Sequence, residues 1–191
     1  MTQILIHLRH RLRSFARDTG GSSTIETVLI LPLLLWAMLA TYTYVDGYRM
    51  QSLNLRATYT ISDLLTRQWN PVDTAFMAGL GKYHAFLTNN AQTTILRVTV
   101  VYYDEPTDAH RLVWSYTTDA SRPQITQATL APFAPVIPVL ANADSAVIVE
   151  TWMAYQPPFS IGLPASTFAN RVIASPRFVP QLSWSTGVPS S

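Results

Sequence analysis

Between Ile25 and Val45 the sequence is apolar throughout, and its one charged residue, Glu26, stands at the edge of the run. As a helix at ~1.5 Å per residue the run covers about 30 Å, the hydrocarbon thickness of a bilayer. It predicts a single membrane span. Arg9, Arg11, Arg13 and Arg17 precede it, whereas Asp46 and Arg49 follow. The positive-inside bias then puts the N-terminus in the cytoplasm and the residues beyond 46 outside. Tyr42, Tyr44 and Tyr48 fall where aromatic rings settle at the outer interface, with Trp36 in mid-span. A cleaved secretory signal fits less well. The run exceeds the 7 to 15 residues typical of a signal core, and Ala37 and Ala40 are wrongly spaced for a small-x-small cleavage site.

Charge narrows the function classes. The chain has 191 residues, 13 basic against 11 acidic, and only 13% charged residues. Four of the basic residues and Asp18 lie within residues 1–21, which leaves nine basic and ten acidic residues for the rest. A body so close to neutral, with Lys82 its one lysine, does not carry the basic surface that binding to phosphates requires. No nucleic-acid partner is expected. With no cysteine, the chain has no disulfide, thiolate metal site, redox motif or cysteine nucleophile.

Immediately before the span stands Gly20-Gly21-Ser22-Ser23-Thr24-Ile25-Glu26. A short basic leader ending in glycine, a glutamate five residues on, and an apolar helix containing Pro32 resemble a type IV pilin-type precursor. More closely, Phe15 to Arg56 is similar to the TadE-like and TadG-like pseudopilins of the tight-adherence (Tad) pilus apparatus. The resemblance implies that a membrane prepilin peptidase cuts after Gly21 and leaves Ser22 as the new N-terminus. It also implies that Glu26 pairs with a neighbouring subunit's N-terminal amine in an assembly. Thr27 stands where the major Flp pilins carry tyrosine, which points to a minor component. Ser175-Pro176-Arg177-Phe178, with Trp184 soon after, looks like the closing stretch of the same pseudopilins.

The residues have reasons of their own. Gly20 and Gly21 permit an extended, cleavable backbone at the membrane face. Ser23 and Glu26 have the spacing of a capping box, a purely structural role that is compatible with the assembly role. A carboxylate at the membrane edge is costly unless paired. Pro32 removes a backbone hydrogen bond inside the span and usually kinks such a helix.

Beyond Val45, Leu53, Ala57, Ile61, Leu64 and Leu65 recur at helical spacing to about Gln68, and Trp69-Asn70-Pro71 ends the pattern. Asp73 can cap a second helix to about Leu87, with Phe76, Leu80, Tyr83 and Leu87 on one side. Thr94 to Tyr103 alternates as a strand. Leu112 to Thr117 returns as its hairpin partner, with Leu112, Trp114 and Tyr116 on one face. Pro123, Pro132, Pro135 and Pro138 forbid a long helix between Ser121 and Asn142 and leave a crossover with one short helical turn at most. Ala146 to Tyr155 is a further strand, and Asn170 to Ala174 a short last one.

The fold class is therefore α+β: a long transmembrane-to-amphipathic helix, a pilin-like stalk, followed by a small antiparallel sheet of three or four strands with one additional helix. Residues 1–21 form the leader, 22–46 the membrane helix, 47–69 its amphipathic extension and 70–191 a periplasmic domain.

Catalytic signals are missing from the sequence. His7 and His10 sit in the leader, His84 and His110 lack the partners that metal sites use, and Asp104, Glu105 and Asp108 bunch in a hairpin turn without the ligands and glycine of a calcium loop. No nucleophile elbow, phosphate loop or dinucleotide fingerprint occurs. No enzyme, cofactor or small-molecule substrate is expected. The reading is a minor pseudopilin of the bacterial inner membrane, partnered by prepilin peptidase, other Tad minor pilins and the assembly platform. The alternative is an uncleaved, signal-anchored periplasmic binding or scaffold protein that keeps residues 1–21 and grips a partner with exposed Trp114 and Trp152.

Overall fold

The structure is a computed structural model that describes Ser14, 22–89 and 93–185; the basic leader with Gly21 lies outside the described residues, Ser14 excepted. Helix α1 runs for 45 residues, Ser22–Thr66, and continues unbroken through Pro32. It stops two residues before Gln68, and its last carbonyls find partners: Gln68 N donates to Leu65 O at 3.2 Å and Arg177 N to Thr66 O at 2.8 Å. The closing Ser-Pro-Arg-Phe stretch thus satisfies the C-terminus of the long helix, where backbone acceptors are otherwise orphaned.

Helix α2 spans Thr74–Leu87 and opens on Asp73, whose Oδ1 accepts from Phe76 N at 2.7 Å, as an Asx N-cap should. Its buried side is Met77, Leu80 and His84. The expected face of Phe76, Leu80, Tyr83 and Leu87 is rotated, and Tyr83 remains 37% exposed. Gly81 lies where a Cβ would come within 2.8 Å of Thr118 Cγ2, so glycine permits this close helix–strand approach.

Four antiparallel strands form one sheet in the order β2-β1-β3-β4: β1 Thr94–Asp104, β2 Ala109–Thr117, β3 Ser145–Tyr155 and β4 Ser166–Ala174. Both β2 and β4 begin earlier than their apolar patterns indicated. Between β1 and β2, Asp108 turns the chain at φ 47°. Opposite Val100 and Val101 the register jumps from Trp114 to Leu112, which makes Val113 the extra residue of a bulge. The consequence corrects the expected single face of β2. Trp114 and Tyr116 pack toward the helices, whereas Leu112 joins the opposite cluster.

Because a strand sends alternate residues to opposite sides, the sheet carries two cores. One face, with Leu96, Val98, Val100, Val147 and Val149, is covered by Ile61 and Leu65 of α1 and by Met77 and Leu80 of α2. The other face, with Val101, Ala146 and Ile148, is covered by Ile125, Leu130, Ile137 and Leu140 of the proline-rich crossover. That crossover holds two short 3₁₀ turns, Gln127–Thr129 and Ala131–Val136, rather than one at most. The C-terminal segment returns to the first core: Val72 bridges Trp184, and Trp114 Nε1 donates to Leu182 O at 2.8 Å.

Candidate functional site

The feature that sets this molecule apart is the reversal of polarity along α1. From Thr24 to Met38 every residue of the helix is exposed, with Leu29 at 70% and Leu33 at 66%. From Thr43 onward the helix packs against the domain, and much of what it buries is polar: Thr43, Asn54, Thr58, Ser62 and Thr66. Ala57, Ile61 and Leu65 share that buried face as expected, whereas Leu64 stays exposed. The helix is long and apolar enough to cross a membrane, and it lies near the N-terminus.

Glu26 belongs to the exposed part. Ser23 and Glu26 both lie within α1. Among the described residues Glu26 makes no ion pair. Pro32, one and a half turns on, leaves the Val28 carbonyl without its usual amide donor.

Where the exposed part meets the domain, the β3–β4 loop lies along α1. The Tyr155 hydroxyl sits 3.1 Å from Asp46 Oδ2 and 3.3 Å from the Thr43 carbonyl; burial, and then the Asp46 contact, push its phenol up to about 12. Tyr44 donates to Gly162 O at 3.2 Å, and the Tyr42 and Phe159 rings meet edge to face at 6.1 Å. Gly47 admits the loop, since a Cβ there would stand 3.0 Å from Leu163 Cδ2. A cleft of about 510 Å³ opens beside it, lined by Tyr44, Val45, Gly47, Tyr48, Gln51, Leu163 and Phe168.

Two buried polar sites fix the domain, one on each face of the sheet, and neither was foreseen. His84, fully buried, meets Asn54 Oδ1 at 2.9 Å through Nε2. Since Asn54 Nδ2 already donates to Phe168 O at 3.2 Å, Oδ1 must accept and Nε2 must carry the proton. Nδ1 then points a bare lone pair into the core, and burial lowers the imidazole to about 4. On the far face, Glu150 is 2% exposed between two arginines. Arg97 holds its Oε2 through Nη2 at 2.6 Å and Nε at 2.8 Å, while Arg171 holds Oε1 through Nη2 at 2.9 Å and Nε at 3.0 Å. Arg97 also donates to Pro123 O at 2.8 Å and shares the Phe133 ring with Arg171, which ties the crossover to the sheet. Opposite charges in the middle of two otherwise apolar strands were the available signal for this ladder.

The aromatic grip expected of Trp114 and Trp152 does not form. Trp114 is 8% exposed with its indole N–H satisfied, because, opposite Val100, it faces the helix-side core. Trp152 lies half-buried beneath the guanidinium groups of Arg97 and Arg122, at 5.0 and 5.1 Å. In the acidic hairpin turn the carboxylates are engaged locally, Asp104 by Thr107 and Arg111 and Asp108 by the Tyr103 hydroxyl. Among the described residues no group of three or more histidines and carboxylates could hold a metal ion.

Comparison of the chain with protein-family models, characterised proteins and solved structures finds no match in any of the three.

Proposed function

We propose that this chain is a TadE/TadG-like minor pseudopilin: α1 holds it in the bacterial inner membrane, with residues beyond 46 in the periplasm, and it supports assembly of an adhesive pilus. The observation that carries the reading is the exposed apolar half of α1 with an ion-pair-free Glu26 near its start. Such a surface suits lipid first and other helices later, and such a carboxylate calls for a cation that the described chain does not supply.

The mechanism is noncovalent apart from one cleavage, in which the protein is the substrate. Hydrolysis after Gly21 removes four arginines and with them the electrostatic hold on the cytoplasmic face. The helix is then free to move from lipid into a bundle with other minor pilins on the assembly platform. There Glu26 pairs with the Ser22 amine of a neighbour and sets the register.

The test compares the intact mass of the protein from cells with and without prepilin peptidase. The proposal expects a difference corresponding to residues 1–21; the same mass in both strains rejects processing. Glu26→Ala is expected to impair piliation while membrane insertion stays normal. Normal piliation by that variant removes the pairing role.

A further inference from the structure

The β3–β4 loop, residues 156–165, reads Gln-Pro-Pro-Phe-Ser-Ile-Gly-Leu-Pro-Ala and carries no charge. It emerges at the end of the sheet that faces the apolar half of α1. Strand β3 runs antiparallel to the helix, with Thr151 bonded to Thr58 at 2.6 Å and Tyr155 reaching Thr43. The acidic turn of Asp104, Glu105 and Asp108 lies at the opposite end, since Asp104 pairs with Ala109 and Tyr102 with Ser145 at the start of β3. The β3–β4 loop is therefore an uncharged segment at the end near the span, with the acidic turn at the far end of the sheet.

Depth follows from the helix. The Phe159 ring touches that of Tyr42, which lies three residues inside the apolar run that ends at Val45, or about 4.5 Å along the axis. We propose that the β3–β4 loop is a second membrane contact, with Phe159 and its neighbours resting in the interfacial layer of the leaflet into which the C-terminal end of the span opens. Phe159 is 40% exposed and has Tyr42, itself 57% exposed, as its neighbour, so the two form one surface continuous with the span.

The backbone of the loop is prepared for a poorly hydrated setting. Pro157, Pro158 and Pro164 have no amide to desolvate. Ile161 N donates to Phe159 O at 2.9 Å, and the Gly162 carbonyl accepts from Tyr44. Gly162 adopts φ +76°, a conformation that suits glycine and keeps the loop folded back on α1. The nearest acid, Asp46, turns toward Tyr155 instead of toward lipid. Tyr48, 75% exposed, and Arg49 stand about one turn farther on, at the level where phenols and guanidinium groups meet headgroups.

This inference rests on the spanning role of α1 and not on cleavage at Gly21. Because the chain has no cysteine, single substitutions report depth without background. The full chain, bearing a nitroxide at Leu35→Cys, Phe159→Cys, Ser160→Cys or Ala141→Cys, is reconstituted in vesicles of phosphatidylethanolamine and phosphatidylglycerol. Collision with oxygen and with a water-soluble nickel chelate is then measured. The expected oxygen-to-nickel ratio is highest at 35, severalfold above the aqueous control at 141 for positions 159 and 160, and independent of protein-to-lipid ratio. Values at 159 and 160 equal to that at 141, with 35 still in lipid, overturn the loop contact alone. An aqueous value at 35 overturns the span and the loop together. Protection at 159 that disappears on dilution with lipid assigns the surface to a second copy of the chain and also overturns the proposal.

Discussion

The two halves of α1 belong to one continuous helix yet obey opposite rules. Residues 24–38 expose leucine, isoleucine, valine and tryptophan on every side, whereas residues 43–66 bury threonine, asparagine and serine against the sheet. In water the arrangement is inverted, because apolar area costs free energy when exposed and polar groups cost it when buried unpaired. The packed half resolves its part internally: Thr58 bonds Thr151, Asn54 bonds His84 and Phe168, and Thr43 bonds the Leu39 carbonyl. The exposed half keeps its apolar side chains uncovered, and its environment must cover them. The comparison teaches that substitutions in the first half should change where the chain resides, and substitutions in the second how firmly it folds.

The largest effect that separates the halves is expected from Leu34→Arg combined with Leu35→Arg. A central arginine costs a span about 2.5–3.5 kcal/mol, so the pair opposes insertion by about 6 kcal/mol while the domain keeps its melting temperature. An insertion assay alongside thermal unfolding reads both arms, and a lowered melting temperature with intact insertion reverses the assignment. Next, Glu150→Leu leaves the buried Arg97 without its carboxylate, beside the part-exposed Arg171, and should cost about 3–5 kcal/mol of stability, read by denaturant unfolding in detergent. Loss of insertion by this variant would blur the division between halves.

Acidification gives a third handle. The folded His84 lies near 4 and the unfolded residue near 6.5, so the unfolded chain binds the proton first. Stability from this group is fully present above about 6.5 and falls by about 3 kcal/mol as the pH drops to 4. His84→Gln should flatten that slope in a pH series of melting curves; an unchanged slope assigns it to other groups. The smallest effect concerns the polar seam. Thr58→Val strands the Thr151 hydroxyl at a cost of about 1–3 kcal/mol, and Thr58→Val with Thr151→Val should recover most of it. Additive losses in this double-mutant cycle show that the hydroxyls are not coupled.

Legibility in the sequence followed periodicity. The Asp73 cap and strands β1 and β3 have one strong local signal each, and the structure places them within a residue or two of expectation; the apolar run lies in a helix long enough to cross a membrane. The bulge at Val113 was hidden because Leu112, Val113 and Trp114 are all apolar, so nothing in the alternation marks where the face changes. The seam of Asn54, Thr58, Ser62 and Thr66 repeats every four residues, yet polar residues at helical spacing read as a solvent face. For Asn54 and Thr58 the buried partners stand about thirty or more residues away, beyond the reach of local pattern. Glu150 and Arg97 carried a readable signal, opposite charges within apolar strands, but the pairing requires the β1–β3 register. Glu26 and Pro32 lie where the sequence put them, in the exposed half, while Gly21 is outside the described residues.

The account depends on the exposed half of α1 residing in lipid. The most direct measurement is an alkaline carbonate wash of membranes that contain the unmodified chain, followed by separation of pellet and supernatant. Retention of the whole protein in the pellet is the predicted result. Release of intact chain into the supernatant contradicts the account, because a helix that crosses the bilayer is not freed by stripping charge contacts.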